Sequence, residues 1–244
     1  MRSVKMTLGL AAALCALGAG SASALAHEFT ASITGKTITE AEPAKTKGKN
    51  VGAQAFTFGA IKVTCTSATT KGIVIAGSQP TLKTTARYNH CTTAIKVGPE
   101  PAGLPTHFLA PVEYNFYANG FAGVGTEGEE ESAVEIGSGS AELKVSGIKC
   151  IVSWPAQVVP IKAEEKPEKE YTAAVYSDNL VANEHLKKFT TGKQSKLVIA
   201  NNFRGMEYEI EGATCEGFKK PEGKSAKYAG TLEEEVINGN LGWL

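Results

Sequence analysis

Two segments of this chain repeat a pattern that suits an extended backbone and little else. Leu143-Lys-Val-Ser-Gly-Ile-Lys-Cys150 and, sixty-five residues on, Tyr208-Glu-Ile-Glu-Gly-Ala-Thr-Cys215 both read apolar, charged, apolar, polar, Gly, two residues, Cys. Gly59-Ala-Ile-Lys-Val-Thr-Cys65 is a looser relative. Successive side chains on a strand point to opposite faces. Met206, Tyr208 and Ile210 therefore share one face, and Glu207, Glu209 and Glu211 the other. A helix would scatter both sets around its axis. In the looser unit Ile61, Val63 and Cys65 share a face, which points Cys65 into the core.

Short strand patterns of this kind fill most of the chain, separated by turn residues and with almost no helical periodicity. They predict an all-β fold, an antiparallel β-sandwich or barrel-like sheets, in two related halves stapled by disulfides. The halves are residues 27–125 and 126–244, with the acidic, glycine-rich Gly125–Glu131 between them; the two may also form one domain. Glu40–Gly52, rich in Lys, Ala, Pro and Gly, is expected to be an exposed loop. Gly98–Pro105 is expected to stay out of any sheet, because three prolines lack the backbone donor. Asn119-Gly120 supplies a tight hairpin turn, and Asn183–Phe189 is the one helical turn expected.

Residues 1–26 read as a secretory signal peptide. Arg2 and Lys5 precede an apolar stretch from Met6 to Gly18, and Ala24-Leu-Ala26 offers a small-residue cleavage site; cleavage after Ala24 is the alternative. No later stretch is apolar enough to span a bilayer, so a secreted protein, extracellular or associated with the cell envelope, is expected. The 25 basic and 25 acidic residues balance, and loss of Arg2 and Lys5 leaves the mature chain slightly acidic. That argues against a general nucleic-acid binder and against adhesion to anionic membranes. Cys65, Cys91, Cys150 and Cys215 remain in the mature chain, an even count that reads as two disulfides with three possible connectivities. Cys65–Cys91 with Cys150–Cys215, one per half, is the favoured arrangement.

The two G-x-x-C units, with Asn202-Phe-Arg-Gly-Met-Glu-Tyr208 leading into Cys215, resemble a group of uncharacterised exported bacterial β-rich proteins. The resemblance spans most of the mature chain. It implies a fold and export, and it brings no activity.

Catalytic patterns fail on context. Gly123-Val-Gly-Thr-Glu-Gly128 fits G-x-G-x-x-G, but no helix pattern follows and Glu129, Glu130 and Glu131 would repel a pyrophosphate. Ser146 and Lys149 match S-x-x-K, yet they fall in a glycine break after a strand instead of on a helix. His27, His90, His107 and His185 form no close metal pair. His27 would become the mature N-terminus, where its α-amine and imidazole suit Cu(II), making a copper-dependent enzyme or metal-binding protein the runner-up reading. The runs Glu129–Glu131, Glu164–Glu165 and Glu233–Glu235 read as solvated loops or outer strand faces. Tyr117 and Phe121, flanking the expected hairpin, are the candidates for surface binding of a glycan or a protein. The leading expectation is an exported, non-catalytic structural or binding module with an unknown protein or glycan partner and no cofactor.

Overall fold

The long strands owe their length to alternation that runs past positions where a turn was expected. A computed structural model describes residues 28–97, 100–118, 134–145, 148–159, 174–178, 196–212 and 226–243. Every regular element among them is a strand. No helix among the described residues is long and apolar enough to cross a membrane. The fold is all-β with antiparallel pairing throughout, as the alternation predicts.

The centre of the main sheet is built from β2 (Ala44–Phe58), β3 (Ile61–Val74), β5 (Thr81–Val97) and β15 (Ala226–Val236). β13 (Leu197–Met206) and β12 (Ala174–Asp178) extend it beyond β15. On its other side β5 carries two neighbours. Its first part, Thr81–Ala86, pairs with β7 (Val112–Tyr117), which leads to β8 (Val134–Ile136) and β11 (Gln157–Val159). Its last part, Cys91–Val97, pairs with β6 (Glu100–Phe108), which leads to β9 (Gly139–Val145), β10 (Ile148–Trp154) and β14 (Glu209–Glu211). A small second sheet places β1 (Phe29–Ile33) between β16 (Gly239–Trp243) and β4 (Ser78–Gln79). Strands from residues 27–125 and 126–244 are thus direct neighbours in both sheets, at β2–β15 and at β1–β16.

The fork at β5 follows from a row of irregularities that bends the central strands. Register shifts lie between Ala229 and Thr231 in β15 and between Lys49 and Gln54 in β2. In β3 the inward set changes from Ile61, Val63 and Cys65 to Ala68, Thr70 and Val74. In β5 it changes around His90, a non-glycine residue at φ 51°. An extra residue of this kind bends its strand and re-aims the side chains beyond it. Asn50 closes the gap in the ladder. Its Nδ2 donates to Thr66 O (2.9 Å) and Gly52 O (2.5 Å), and its Oδ1 accepts from Ala68 N (2.9 Å). Gly52, at φ 77°, takes a conformation that side chains resist.

Cys65 and Cys91 face each other across β3 and β5 at the bend, with Cα atoms 3.9 Å apart, and are joined by a disulfide. Closing that loop stabilises by about 3–4 kcal/mol on the chain-entropy account. Cys65 is fully buried, as its phase in the strand requires. Cys150 is buried and also disulfide-bonded. Cys215, its expected partner, lies outside the described residues, as do the expected hairpin turn at 119–120, the boundary at 125–131 and the helical turn at 183–189.

Four sequence expectations need correction. Glu40–Gly52 is not a loop from Ala44 onward: β2 runs through it. Its inward residues are Ala44, Thr46 and Gly48, too small or polar to register as a hydrophobic stripe, while Lys45, Lys47 and Lys49 point out. Gly98–Pro105 does enter a sheet from Glu100 onward, with Pro101 opposite Lys96 and Pro105 opposite Thr92. Pro101 and Pro105 share one phase, so their missing donors face one edge. Leu109 is in that same phase and donates its N–H to Ser140 O of β9 (3.0 Å), which identifies the edge as the one away from β5. β9 joins that edge only from Thr106, so the prolines cost no ladder bond to β5. Met206–Glu211 is not one strand. The alternation holds, but β13 stops at Met206, and the Gln157 side chain takes both backbone groups of Glu207, at 2.8 and 3.1 Å. The chain then crosses to pair with β10. The Leu143 unit is not one strand but parts of two paired ones, with Cys150 of β10 directly opposite Leu143 of β9.

Candidate functional site

Of the candidate residues singled out in the sequence, the structure describes Tyr117, His90, His107, Cys65, Cys91 and Cys150; His27, Phe121, His185 and Cys215 lie outside the described residues. Tyr117 sits at the end of β7, half-buried. Its hydroxyl donates to Glu135 Oε2 (3.2 Å) and accepts from Asn115 Nδ2 (3.2 Å). Burial and the Glu135 charge raise its pKa. His90 and His107 are exposed on β5 and β6. No group of three or more His, Cys, Asp or Glu among the described residues is placed to hold a metal.

Tyr117 and Lys196 apart, the described titratable groups with displaced pKa values lie inside the fold. The first set is a file of phenols. Tyr228 donates its hydroxyl to Gln54 Oε1 (2.6 Å), Tyr88 donates to Tyr228 (3.1 Å), and Tyr88 and Tyr114 hydroxyls meet at 2.7 Å. Each phenol has one proton. Tyr88 has given its own to Tyr228, so Tyr114 must donate to Tyr88, and the file runs in one direction from Tyr114 to Gln54. Gln54 Nε2 ends it on Thr231 O (3.1 Å). Burial pushes all three phenols up, first by desolvation and, for Tyr88 and Tyr114, next by neighbouring phenols. The residues come from β2, β5, β7 and β15, so the file stitches four strands across the interior. Gly230 makes room for it: a Cβ there would lie 2.1 Å from Gln54 Oε1. Tyr228→Phe is expected to cost about 1–3 kcal/mol, because Gln54 Oε1 and the Tyr88 proton both lose a buried partner. Removing the acceptor as well, in Tyr228→Phe with Gln54→Leu, should recover part of that loss in urea unfolding. A double variant less stable than Tyr228→Phe would show that Gln54 acts through its other contacts.

The second set surrounds Glu234 on β15. Glu234 is completely buried, and burial raises its pKa from 4.5 to about 7. Thr84 Oγ1 donates to its Oε1 (3.0 Å). Thr70 leans toward the carboxyl and favours its ionised form without closing a hydrogen bond, leaving Thr70 Oγ1 and Glu234 Oε2 without partners, like Thr46 Oγ1 nearby. Two glycines create the space. A Cβ on Gly48 would lie 2.3 Å from Thr70 Oγ1 and 2.9 Å from Glu234 Cδ; one on Gly72 would lie 2.8 Å from Thr46 Oγ1. The sequence reading grouped Glu233–Glu235 as a solvated run. Glu233 and Glu235 do face outward, but period-two alternation turns the middle glutamate in, and that parity was the available signal.

The outer face over this pocket is charged. Lys47 pairs with Glu235 (3.2 Å), and Lys196 reaches Glu233 (2.8 Å) and Glu235 (3.6 Å). With Gly48 and Lys49 these residues line a shallow depression of about 230 Å³. No protein-family profile matches the chain, and no curated protein matches it. A solved structure, an acetoacetate decarboxylase-like enzyme from Sphingomonas wittichii RW1, aligns over 83% of this chain and 92% of its own at 9% identity. Its TM-score of 0.17 carries no argument about either fold or activity.

Proposed function

We propose that the protein is an exported, non-catalytic β-module with a binding or structural role at or outside the cell envelope. The observation that supports this most is the location of its most strongly perturbed titratable groups. Displaced pKa values ordinarily gather in clefts that a substrate can enter. Here Tyr88, Tyr114, Tyr228 and Glu234 are sealed between strands, and the phenols are spent on one another and on Gln54. They fix the interior, and the two displaced groups nearer solvent, Tyr117 and Lys196, are held by the carboxylates of Glu135 and of Glu233 and Glu235. Export is supported by the signal-like residues 1–26 and by the buried Cys65–Cys91 bond, of a kind that persists in oxidising compartments.

The test is to express the full chain in a bacterial host, fractionate the cells and sequence the N-terminus of the recovered protein. The expected product lies outside the cytoplasm, begins at His27 or Leu25, and yields no free thiol at Cys65 or Cys91. Unprocessed protein in the cytosol with both thiols free would overturn the reading.

A further inference from the structure

We propose that the outward face of β2, β3 and β5 is a docking surface for a polyanionic polysaccharide. The registers place nine outward residues in a block. Lys45, Ile73 and Lys83 form one cross-strand row; Lys47, Lys71 and Thr85 the next; Lys49, Thr69 and Arg87 the third. Cations occupy six of these positions and carboxylates none. All six are exposed. Rows lie about 7 Å apart along the strands, and neighbours within a row about 5 Å apart. The carboxylates stand at the margins, Glu233 and Glu235 opposite Lys49 and Lys47 on β15, and Glu113 opposite Thr85 on β7. Lys47 is the one member of the block with an ion pair among the described residues.

Such a block is unfavourable if it serves only the fold. Lys47 and Lys71 are directly opposed, and like charges across a strand pair destabilise it. A surface shaped for solubility alone intersperses the two signs. A ligand that brings several negative charges at once would offset the repulsion. The chain as a whole is charge-balanced, so this is a local feature and not a general basicity. The block contains no aromatic ring, whereas single-stranded nucleic acids are bound on stacking platforms. What accompanies the cations suits a sugar polymer: the Thr69 and Thr85 hydroxyls, and Ile73, 48% exposed, for an apolar sugar face.

This inference rests on the export reading, which places the face among envelope polymers. The test uses residues 27–244 with heparin and polygalacturonate as probes, neutral dextran as control and a single-stranded oligothymidylate as competitor. Both anionic glycans are expected to bind and dextran not. Raising salt from about 50 to about 200 mM should weaken binding at least about tenfold. The K71Q/K83Q/R87Q variant should bind about tenfold or more weakly and with a shallower salt dependence, at an unchanged or higher Tm. Equal binding by that variant, or no glycan binding, would overturn the proposal. Tighter binding of the oligothymidylate would also overturn it and assign the face to nucleic acid. A correctly exported protein that fails on glycans leaves the export reading intact, whereas cytosolic retention defeats that reading whatever the face binds.

Discussion

Replacing Phe56 with alanine is expected to lower the unfolding free energy by about 3–5 kcal/mol. Phe56 is fully buried on β2 and packs against rings of the central strands and of the branch through β6. Its centroid lies 4.5 Å from Tyr228, 5.0 Å from Tyr88, 5.0 Å from Phe108 on β6 and 6.5 Å from Trp154 on β10. Tyr228 in turn stacks on Tyr114 of β7 at 6.1 Å, so the branch through β7 is tied to the same centre. Rings packed edge-to-face or offset contribute beyond the area they bury. Truncation would leave a cavity that the surrounding strands, pinned by the Cys65–Cys91 bond and by the phenol file, have little freedom to fill. Urea unfolding followed by tryptophan fluorescence measures the loss. Phe56→Leu, which keeps most of the volume, should cost much less, about 1–2 kcal/mol. A loss within about 1 kcal/mol for Phe56→Ala would mean that the two branches are held together by something other than this centre.

The branches also explain which parts of the fold were legible in the sequence. Alternation is a local property, and where inward residues are large, as in Ile61, Val63 and Cys65 or in Tyr114 and Phe116, strand and facing were both readable. It failed where the inward residues are Ala44, Thr46 and Gly48, which make no large apolar stripe, and at Gly48 the smallness answers a distant requirement, the room taken by Thr70 and Glu234. Pro101 and Pro105 misled for a similar reason. Whether a missing donor matters depends on which neighbour the edge faces, and that is set by β9, some forty residues away in sequence. The single strand expected over Met206–Glu211 broke because Gln157, remote in the chain, supplies the backbone partners of Glu207. The cationic block was illegible as a unit, since Lys45, Lys71 and Arg87 belong to three strands and meet only through register. The buried glutamate was hidden among acidic neighbours, although the alternation of β15 points it inward.

That glutamate sets the second large effect. Glu234→Gln is expected to stabilise the protein by about 3 kcal/mol at pH 8 and by nearly nothing at pH 4. The carboxyl titrates near 4.5 when exposed and near 7 in the fold, because burial penalises the charge more than the Thr70 and Thr84 hydroxyls relieve it. Between those two values the unfolded chain has lost the proton that the folded chain keeps, so it binds fewer protons. Stability must therefore fall as pH rises from about 4.5 to about 7, and the full penalty remains above that range. Below 4.5 both states hold the proton and the penalty vanishes. A glutamine cannot ionise, so it removes this dependence and no other. Its oxygen can still accept from Thr84, and its amide can donate to Thr70 Oγ1, which lacks a partner beside the acid. The measurement is the difference in urea-unfolding free energy between variant and parent at the two pH values, since every other titrating group cancels in that difference. An equal difference at pH 4 and pH 8 would mean that the fold leaves the proton affinity of Glu234 unchanged, and that the pocket around Gly48, Thr70 and Thr84 solvates its charge as well as water does.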